Sequence, residues 1–215
     1  MIIFASANKI NINQNPETMK IELGKDTIVV IYNNSNSDGK KAIREELGDK
    51  FSEILPITTR IKTFEDAMSE LGEGHEAVKA YKDLNWHLGE TAKDILAYLK
   101  LRIIVTALNE GWEPQFTEDE KRWFPWFTLY TQEEIDKMSD EEKEKIGLLL
   151  WGGIANYGSL CGLACAYSSD AWSHSASNLG SRLALKSEKL ALYAGRQFIK
   201  IYADFCFKPG VDKTE

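Results

Sequence analysis

The chain has 215 residues, 43% of them hydrophobic and 27% charged, which is typical of a globular protein with one large domain or two small ones. A formal net charge of −7 argues against general nucleic-acid binding, because neutralising phosphates requires clustered lysine and arginine. The N-terminus has no signal-peptide pattern and no apolar run approaches the roughly 20 residues of a membrane-spanning helix, so we expect a cytoplasmic protein without membrane contact.

The first 60 residues alternate between strand-like and turn-like sequence. Apolar and β-branched runs predict three strands, over residues 2–4, 19–23 and 27–32. Turn-forming residues 33–39 follow, and the apolar spacing then predicts a one-faced helix over 40–55 that ends before Pro56. We therefore expect a small N-terminal αβ portion over residues 1–60.

Three helices are predicted next. Thr63 and Asp66 have the spacing of a capping box and open a helix that ends at Gly72. A less regular helix follows over residues 75–84. The strongest helical pattern covers residues 91–109, where the apolar residues fall on one broad stripe and Asn-Glu-Gly ends it.

The aromatic segment that follows is interrupted by Pro114 and Pro125, so it is predicted to be extended. Thr131 then begins an acidic helix over residues 133–146. Residues 152–181 are rich in Gly, Ser and Ala with aromatics between them, which is typical of tightly packed short strands or of a folded loop.

The C-terminal part returns to regular patterns. Alternation predicts a strand over residues 181–186, and Ser187 caps a last helix. Residues 61–207 therefore form the larger portion, an aromatic-rich domain of helices packed on a short-stranded antiparallel sheet, and residues 208–215 form a flexible tail. The predicted fold class is α+β, with the small N-terminal strand–helix portion preceding this domain.

The distribution of aromatic residues is the most informative feature. All six tryptophans lie within residues 86–172, and the densest run is residues 123–127. One interpretation is a hydrophobic core, the usual place of large aromatics. The other is that two or three rings line a cleft and stack on a planar ligand. In a strand Arg122 shares a face with Phe124 and Trp126, and a guanidinium beside exposed rings suits an anionic planar ligand.

A second group of basic residues lies near the C-terminus. Arg182 and Lys186 point away from the leucine face of the predicted strand, and Arg196 lies on the polar side of the last helix. Such side chains are either ordinary solvated surface or part of an anion or protein site. The candidate ligand-binding residues are Trp112, Arg122, Trp123, Trp126, Tyr130, Trp172, Arg182, Lys186 and Arg196.

Familiar catalytic and metal-binding signatures are absent from the sequence. There is no Walker-type loop, no G-x-G-x-x-G, no G-x-S-x-G and no H-E-x-x-H. The three cysteines and three histidines have no common metal spacing, so neither a metal nor a cofactor is expected. His174 lies between two serines near Asp170, which is a weak basis for a hydrolase. An enzyme is therefore the less favoured class.

Four groups of motifs, taken in order, resemble a known family. They are residues 61–67 (IKTFEDA) with Leu71-Gly72, residues 100–104 (KLRII) with residues 107–112 (ALNEGW), residues 123–127 (WFPWF), and residues 180–183 (GSRL) with Lys186-Ser187 and residues 190–198 (LALYAGRQF). The combination is similar to an uncharacterised family of small proteins encoded by phages and prophages of gut Bacteroidetes. The resemblance covers about residues 60–206 and implies a bacterial cytoplasm as the setting.

The favoured function is that of a non-enzymatic phage accessory protein. Its partner would be a small anionic planar ligand, such as a nucleotide-type signalling molecule sequestered to evade host defence, or a host protein. Capture of this kind needs stacking and anion contacts but no catalytic group. One alternative is a virion structural or assembly protein, with the aromatic patch as an oligomer interface. A hydrolase is the weaker alternative, and a homo-oligomer is compatible with the first two.

Overall fold

The computed structural model describes residues 23–88, 92–115, 117, 119–150, 160–171 and 181–207. Their contacts divide them into two compact units with the boundary between Lys62 and Thr63. Within the described ranges, no helix combines the length and apolar character needed to cross a membrane.

The first unit is built from short helices. They are α1 (Lys25–Asn34), α2 (Ser37–Leu47), α3 (Phe51–Ile54) and α4 (Ile57–Arg60), with a 3-10 turn over Gly48–Lys50 between α2 and α3. Its core contains Ile28, Tyr32, Leu47, Phe51 and Leu55. The predicted helix over residues 40–55 is thus present but interrupted at Gly48, whose φ of 48° lies in the left-handed region that favours glycine.

The strand predicted over residues 27–32 is wrong, because this segment is the helix α1. Its β-branched residues favour a strand, but Ile28 and Tyr32 are one helical turn apart and both are buried in the core. Val30 and Ile31 are 59% and 41% exposed, as expected when burial follows helical rather than alternating periodicity. The strand predicted over residues 2–4 and most of the one over 19–23 lie outside the described residues.

The second unit combines helices with a small sheet. Its helices are α5 (Phe64–Leu71), α6 (Glu76–Leu88), α7 (Lys93–Asn109), α8 (Gln132–Lys137), α9 (Asp140–Ile146), α10 (Glu188–Gln197) and α11 (Ile199–Cys206). Its strands are β1 (Arg122–Thr131), β2 (Leu149–Leu150) and β3 (Leu160–Ala171). They form one antiparallel sheet in the order β1-β3-β2. The fold class is therefore α+β, as predicted.

Helix α7 is the central helix of the second unit. Ten of its 17 residues are buried, and α5, α6, α10 and α11 all pack against it. The helix predicted over residues 91–109 is confirmed, but it is buried on more than one side rather than along a single stripe. Ile95, which belongs to the predicted apolar stripe, is 47% exposed.

Capping boxes set the starts of three helices. The predicted pairs Thr63–Asp66 and Thr131–Glu134 both form, with reciprocal hydrogen bonds between side chain and backbone. Ser139 and Glu142 make a third capping box. This one divides the acidic helix predicted over residues 133–146 into α8 and α9, because an N-cap residue adopts extended rather than helical backbone angles.

Replacing Ser139 with alanine should raise the pKa of the Glu142 carboxyl. Hydrogen bonds from the backbone and side chain of Ser139 hold this pKa below its ordinary value of 4.5. A lowered carboxyl pKa stabilises the folded state above the unfolded pKa, and this stability is lost as the pH falls through the folded pKa. An NMR titration of the Glu142 carboxyl carbon measures the change. Ser187→Ala removes another capping hydroxyl and should leave this titration as it is; an unchanged Glu142 pKa in Ser139→Ala would contradict the assignment.

The sheet packs against α10 and α11 on one face. Phe127 and Leu129 of β1 pack with Leu163 of β3 and with Ile199 of α11. At Gly195 of α10 the helix and sheet are in close approach, because a Cβ atom there would lie 2.7 Å from the Cβ of Pro125 and 2.5 Å from the Sγ of Cys165. Glycine is therefore required for this helix to approach the sheet so closely.

The C-terminal predictions are confirmed in part. Ser187 caps α10 as expected, but the last helix is interrupted at Phe198, whose backbone is not helical, and continues as α11. The strand predicted over residues 181–186 is wrong: the structure has a 3-10 turn over Ser181–Leu183 and a single backbone pair between Leu185 and Trp123. Residues 181–186 therefore pair with β1 at one position only, where alternation predicted a full strand.

Candidate functional site

Strand β1 separates the aromatic residues onto two faces of the sheet. Successive side chains of a strand point to opposite faces, so Trp123 lies on one face and Arg122, Phe124 and Trp126 on the other. Arg122 is only 1% exposed and Phe124 is buried, whereas Trp126 is 46% exposed. The strand therefore carries both buried and exposed aromatic rings, and the Arg122 side chain is buried.

Asn109, at the end of α7, forms a buried junction with the segment before α10. Its Nδ2 donates a 2.8 Å hydrogen bond to the carbonyl of Ala184, and its Oδ1 accepts one of 3.1 Å from the backbone N–H of Lys186. The Asn109 side chain is 4% exposed. Because buried polar groups need hydrogen-bond partners, this amide fixes the Ala184–Lys186 segment against the helix end.

The junction also gathers candidate residues that are distant in sequence. The Nζ of Lys186 donates to the carbonyl of Asn109 and to a carboxylate oxygen of Glu110, both at 3.1 Å. The backbone N–H of Trp112 donates to the same Asn109 carbonyl at 3.0 Å. The backbone of Trp112 and the side chain of Lys186 therefore both bind the carbonyl oxygen of Asn109.

Trp123 is attached to this junction through Leu185. The two residues exchange backbone hydrogen bonds of 3.0 and 2.9 Å. The Nζ of Lys121 lies 5.6 Å from the centroid of the Trp123 ring, which is a cation–π contact. We call Trp112, Lys121, Trp123 and Lys186 the junction surface, since all four are partly or fully exposed and lie at or beside these contacts.

The other candidate residues lie elsewhere. Tyr130 is half-buried and seven residues from Trp123, about 23 Å along a strand. Arg182 is exposed in the 3-10 turn, and Arg196 is exposed on α10 beside Gly195. Trp172 lies outside the described residues. The structure therefore brings three of the nine predicted residues together, namely Trp112, Trp123 and Lys186.

Cys165 is the cysteine whose surroundings are best defined. It is buried at the contact between β3 and α10. Burial raises the pKa of its thiol, and the positive charge of Arg196 offsets part of this effect. A buried thiol of raised pKa is a packing group rather than a nucleophile. Within the described ranges, no three His, Cys, Asp or Glu side chains are grouped so that they could hold a metal ion.

A cleft in the second unit was missed by the sequence reasoning. It has a volume of about 410 Å³ and is lined by Asn85, Lys93, Leu96, Ala97, Lys100, Ile201 and Asp204. The signal in the sequence is that Lys93, Ala97 and Lys100 recur on one stripe of α7. The positions of α6 and α11 beside that stripe depend on long-range packing, which no local pattern contains.

The junction surface has the chemistry of a binding site. It presents the indole rings of Trp112 and Trp123 for stacking and the Lys121 ammonium beside the Trp123 ring, whereas the Lys186 ammonium is paired with the Glu110 carboxylate. Two hydrogen bonds between the backbones of Leu185 and Trp123, and one from the Asn109 side chain to the Ala184 carbonyl, hold the backbone of the junction surface in place. Comparison of the chain with protein-family models, with curated proteins and with solved structures gives no match.

Proposed function

We propose that the protein is a non-enzymatic binding protein that captures a small planar anion on the junction surface. The observation that supports this most directly is the Lys121 ammonium held 5.6 Å from the Trp123 ring. A nucleotide-type molecule has the matching chemistry, because its base can stack on an indole and its phosphate can pair with a lysine.

The energetics require more than one contact. Stacking of a base on an aromatic side chain contributes about 1–3 kcal/mol, whereas micromolar affinity corresponds to roughly 8 kcal/mol. Trp112, whose backbone N–H donates to the Asn109 carbonyl, provides a further ring at the same junction, whereas the Lys186 ammonium is already paired with the Glu110 carboxylate. Because the backbone around Trp123 and Lys186 is already fixed, binding loses little conformational entropy.

The biological setting is also a proposal, and it rests on the resemblance to phage-encoded proteins. In the cytoplasm of a bacterial host, a protein that sequesters a nucleotide-type signal lowers its free concentration without chemical conversion. Such an activity would serve evasion of host defence. It needs the protein in amounts comparable to those of its ligand, because each molecule removes one ligand or a few.

Trp123→Ala should weaken nucleotide binding about 5- to 160-fold, since it removes one stacked ring. Isothermal titration with nucleoside monophosphates and cyclic dinucleotides measures the dissociation constant. Lys121→Gln should weaken binding by a smaller factor, because an exposed cation–π pair contributes only about 0.5–1 kcal/mol.

The matched control is Trp86→Ala. Trp86 lies on α6, is 86% exposed and does not belong to the junction surface, so its removal should leave the affinity unchanged. If none of these nucleotides binds the intact protein, or if Trp123→Ala and Trp86→Ala bind alike, the junction surface is not the site.

A further inference from the structure

The charges fixed around the junction surface limit the charge of a ligand that binds there. The Lys186 ammonium lies 3.1 Å from a carboxylate oxygen of Glu110. The side chains of this ion pair are 31% and 33% exposed, so solvent screens the two charges less than it screens fully exposed ones. A phosphate that approaches Lys186 therefore meets a carboxylate together with the ammonium group.

Glu110 is held beside Lys186 by the turn that ends α7. Its φ of 50° lies in the left-handed region that favours glycine, yet this position carries the side chain that pairs with Lys186. The backbone on both sides of Glu110 is fixed, because the N–H of Trp112 donates to the carbonyl of Asn109 at 3.0 Å. The Glu110 carboxylate is therefore part of the rigid surroundings of the junction surface.

A second carboxylate lies at the other end of the loop that joins α7 to β1. Both oxygens of Glu120 accept from the backbone N–H of Gln115, at 3.0 and 2.8 Å. Glu120 directly precedes Lys121, whose ammonium lies beside the Trp123 ring. Each lysine of the junction surface thus has a glutamate nearby, and hydrogen bonds hold both glutamates in place.

We propose that the junction surface selects nucleotides whose phosphate is a diester, the class of cyclic nucleotides, and that Glu110 is the residue that determines this preference. The inference rests on the proposed binding of planar anions at this surface. A phosphodiester carries one negative charge, whereas a phosphate monoester carries about 1.5 to 2 at neutral pH and a triphosphate carries more.

The physical reason is repulsion between like charges. Each charge of the ligand beyond the first adds repulsion from Glu110 and Glu120, while the Lys186 ammonium that could offset it is already paired. A nucleotide site built from lysines without carboxylates would have the opposite order of affinities, because each further phosphate would gain a contact with a cation.

The test compares the cyclic monophosphate, the monophosphate and the triphosphate of adenosine, and the same forms of guanosine, by isothermal titration of the full chain without divalent cations. In the series that binds, the cyclic form should bind about fivefold or more tightly than the triphosphate, with the monophosphate between them. A triphosphate that binds as tightly as the cyclic form would overturn the preference and leave the proposed function intact. If none of these nucleotides binds, the proposed function itself is contradicted, and this inference with it.

Glu110→Gln tests the residue that determines the order. It keeps the length of the side chain but removes its charge and leaves Lys186 available to the ligand. The triphosphate should therefore bind about fivefold more tightly than to the intact protein, and the cyclic form should change less than about twofold.

The matched control is Glu133→Gln, which breaks the ion pair between Glu133 and Lys137 on α8 and should change neither affinity. An equal change in the affinities of all three forms in Glu110→Gln would mean that Glu110 has only a structural role, and would contradict the assignment. The order of affinities on the intact protein decides the outcome if Glu110→Gln is unstable.

Discussion

Gly195→Ala is expected to destabilise the second unit by about 2–3 kcal/mol, a large effect for one methyl group. The added Cβ would lie 2.5 Å from the Sγ of Cys165 and 2.7 Å from the Cβ of Pro125, distances that real Cβ contacts do not reach. The helix and sheet must move apart to accept it, and the surrounding core loses contact. Urea unfolding followed by tryptophan fluorescence measures this, because all six tryptophans lie in the second unit.

Matched glycines provide the controls for this prediction. Gly74→Ala should change stability by less than about 0.5 kcal/mol, since nothing lies within 4 Å of a Cβ built there. Gly162→Ala should be intermediate, because its close neighbours are the flexible ends of Ile135 and Leu148. Cys165→Ala should recover part of the loss caused by Gly195→Ala. If Gly195→Ala is as stable as Gly74→Ala, the result would contradict the close packing of α10 on the sheet at Gly195.

Asn109→Ala is expected to lower the free energy of unfolding by about 2–4 kcal/mol. It leaves the carbonyl of Ala184 and the backbone N–H of Lys186 without the amide that now satisfies them. A buried polar group that loses its partner costs more than the hydrogen bond itself contributes. Because the same amide positions the segment that pairs with Trp123, this variant should also weaken any ligand bound at the junction surface.

Asn85→Ala is the matched control for Asn109. Asn85 is an exposed asparagine of the same unit, and its replacement should change stability by less than about 0.5 kcal/mol. Asn109→Asp separates the two hydrogen bonds, because it keeps an acceptor for Lys186 but replaces the donor to Ala184. It should be unstable at neutral pH. Equal unfolding midpoints for Asn109→Ala and Asn85→Ala would show that the hydrogen bonds of Asn109 contribute nothing to the stability of the folded protein.

Features determined by local sequence were predicted well. The Thr63 and Thr131 capping boxes depend on residues three apart, so their spacing is visible in the chain. Pro114 and Pro125 disfavour a helix in the aromatic segment, so this segment was predicted to be extended. Residues 122–131 do form the strand β1. The helix α7 was predicted from the helical spacing of its apolar residues and from the Asn-Glu-Gly that ends it.

Features determined by long-range contacts could not be predicted. Residues 27–32 are rich in β-branched residues, which favour a strand. The segment is nevertheless helical, because a helix buries both Ile28 and Tyr32 in the core of the first unit. Strand periodicity placed Arg122 beside Trp126 but did not show that Arg122 is inside and Trp126 outside. The importance of Asn109 arises from partners 75 and 77 residues away, which no window of sequence contains.

The most direct test of the junction surface is an NMR titration that follows the indole N–H signals of the six tryptophans. Each signal is assigned by replacing one tryptophan with phenylalanine, and a nucleotide that binds the intact protein is then added. The signals of Trp123 and Trp112 should move in a saturable way, while the exposed indole of Trp86 stays in place. A titration in which the Trp123 signal does not move, or in which Trp86 alone responds, would contradict the proposed function.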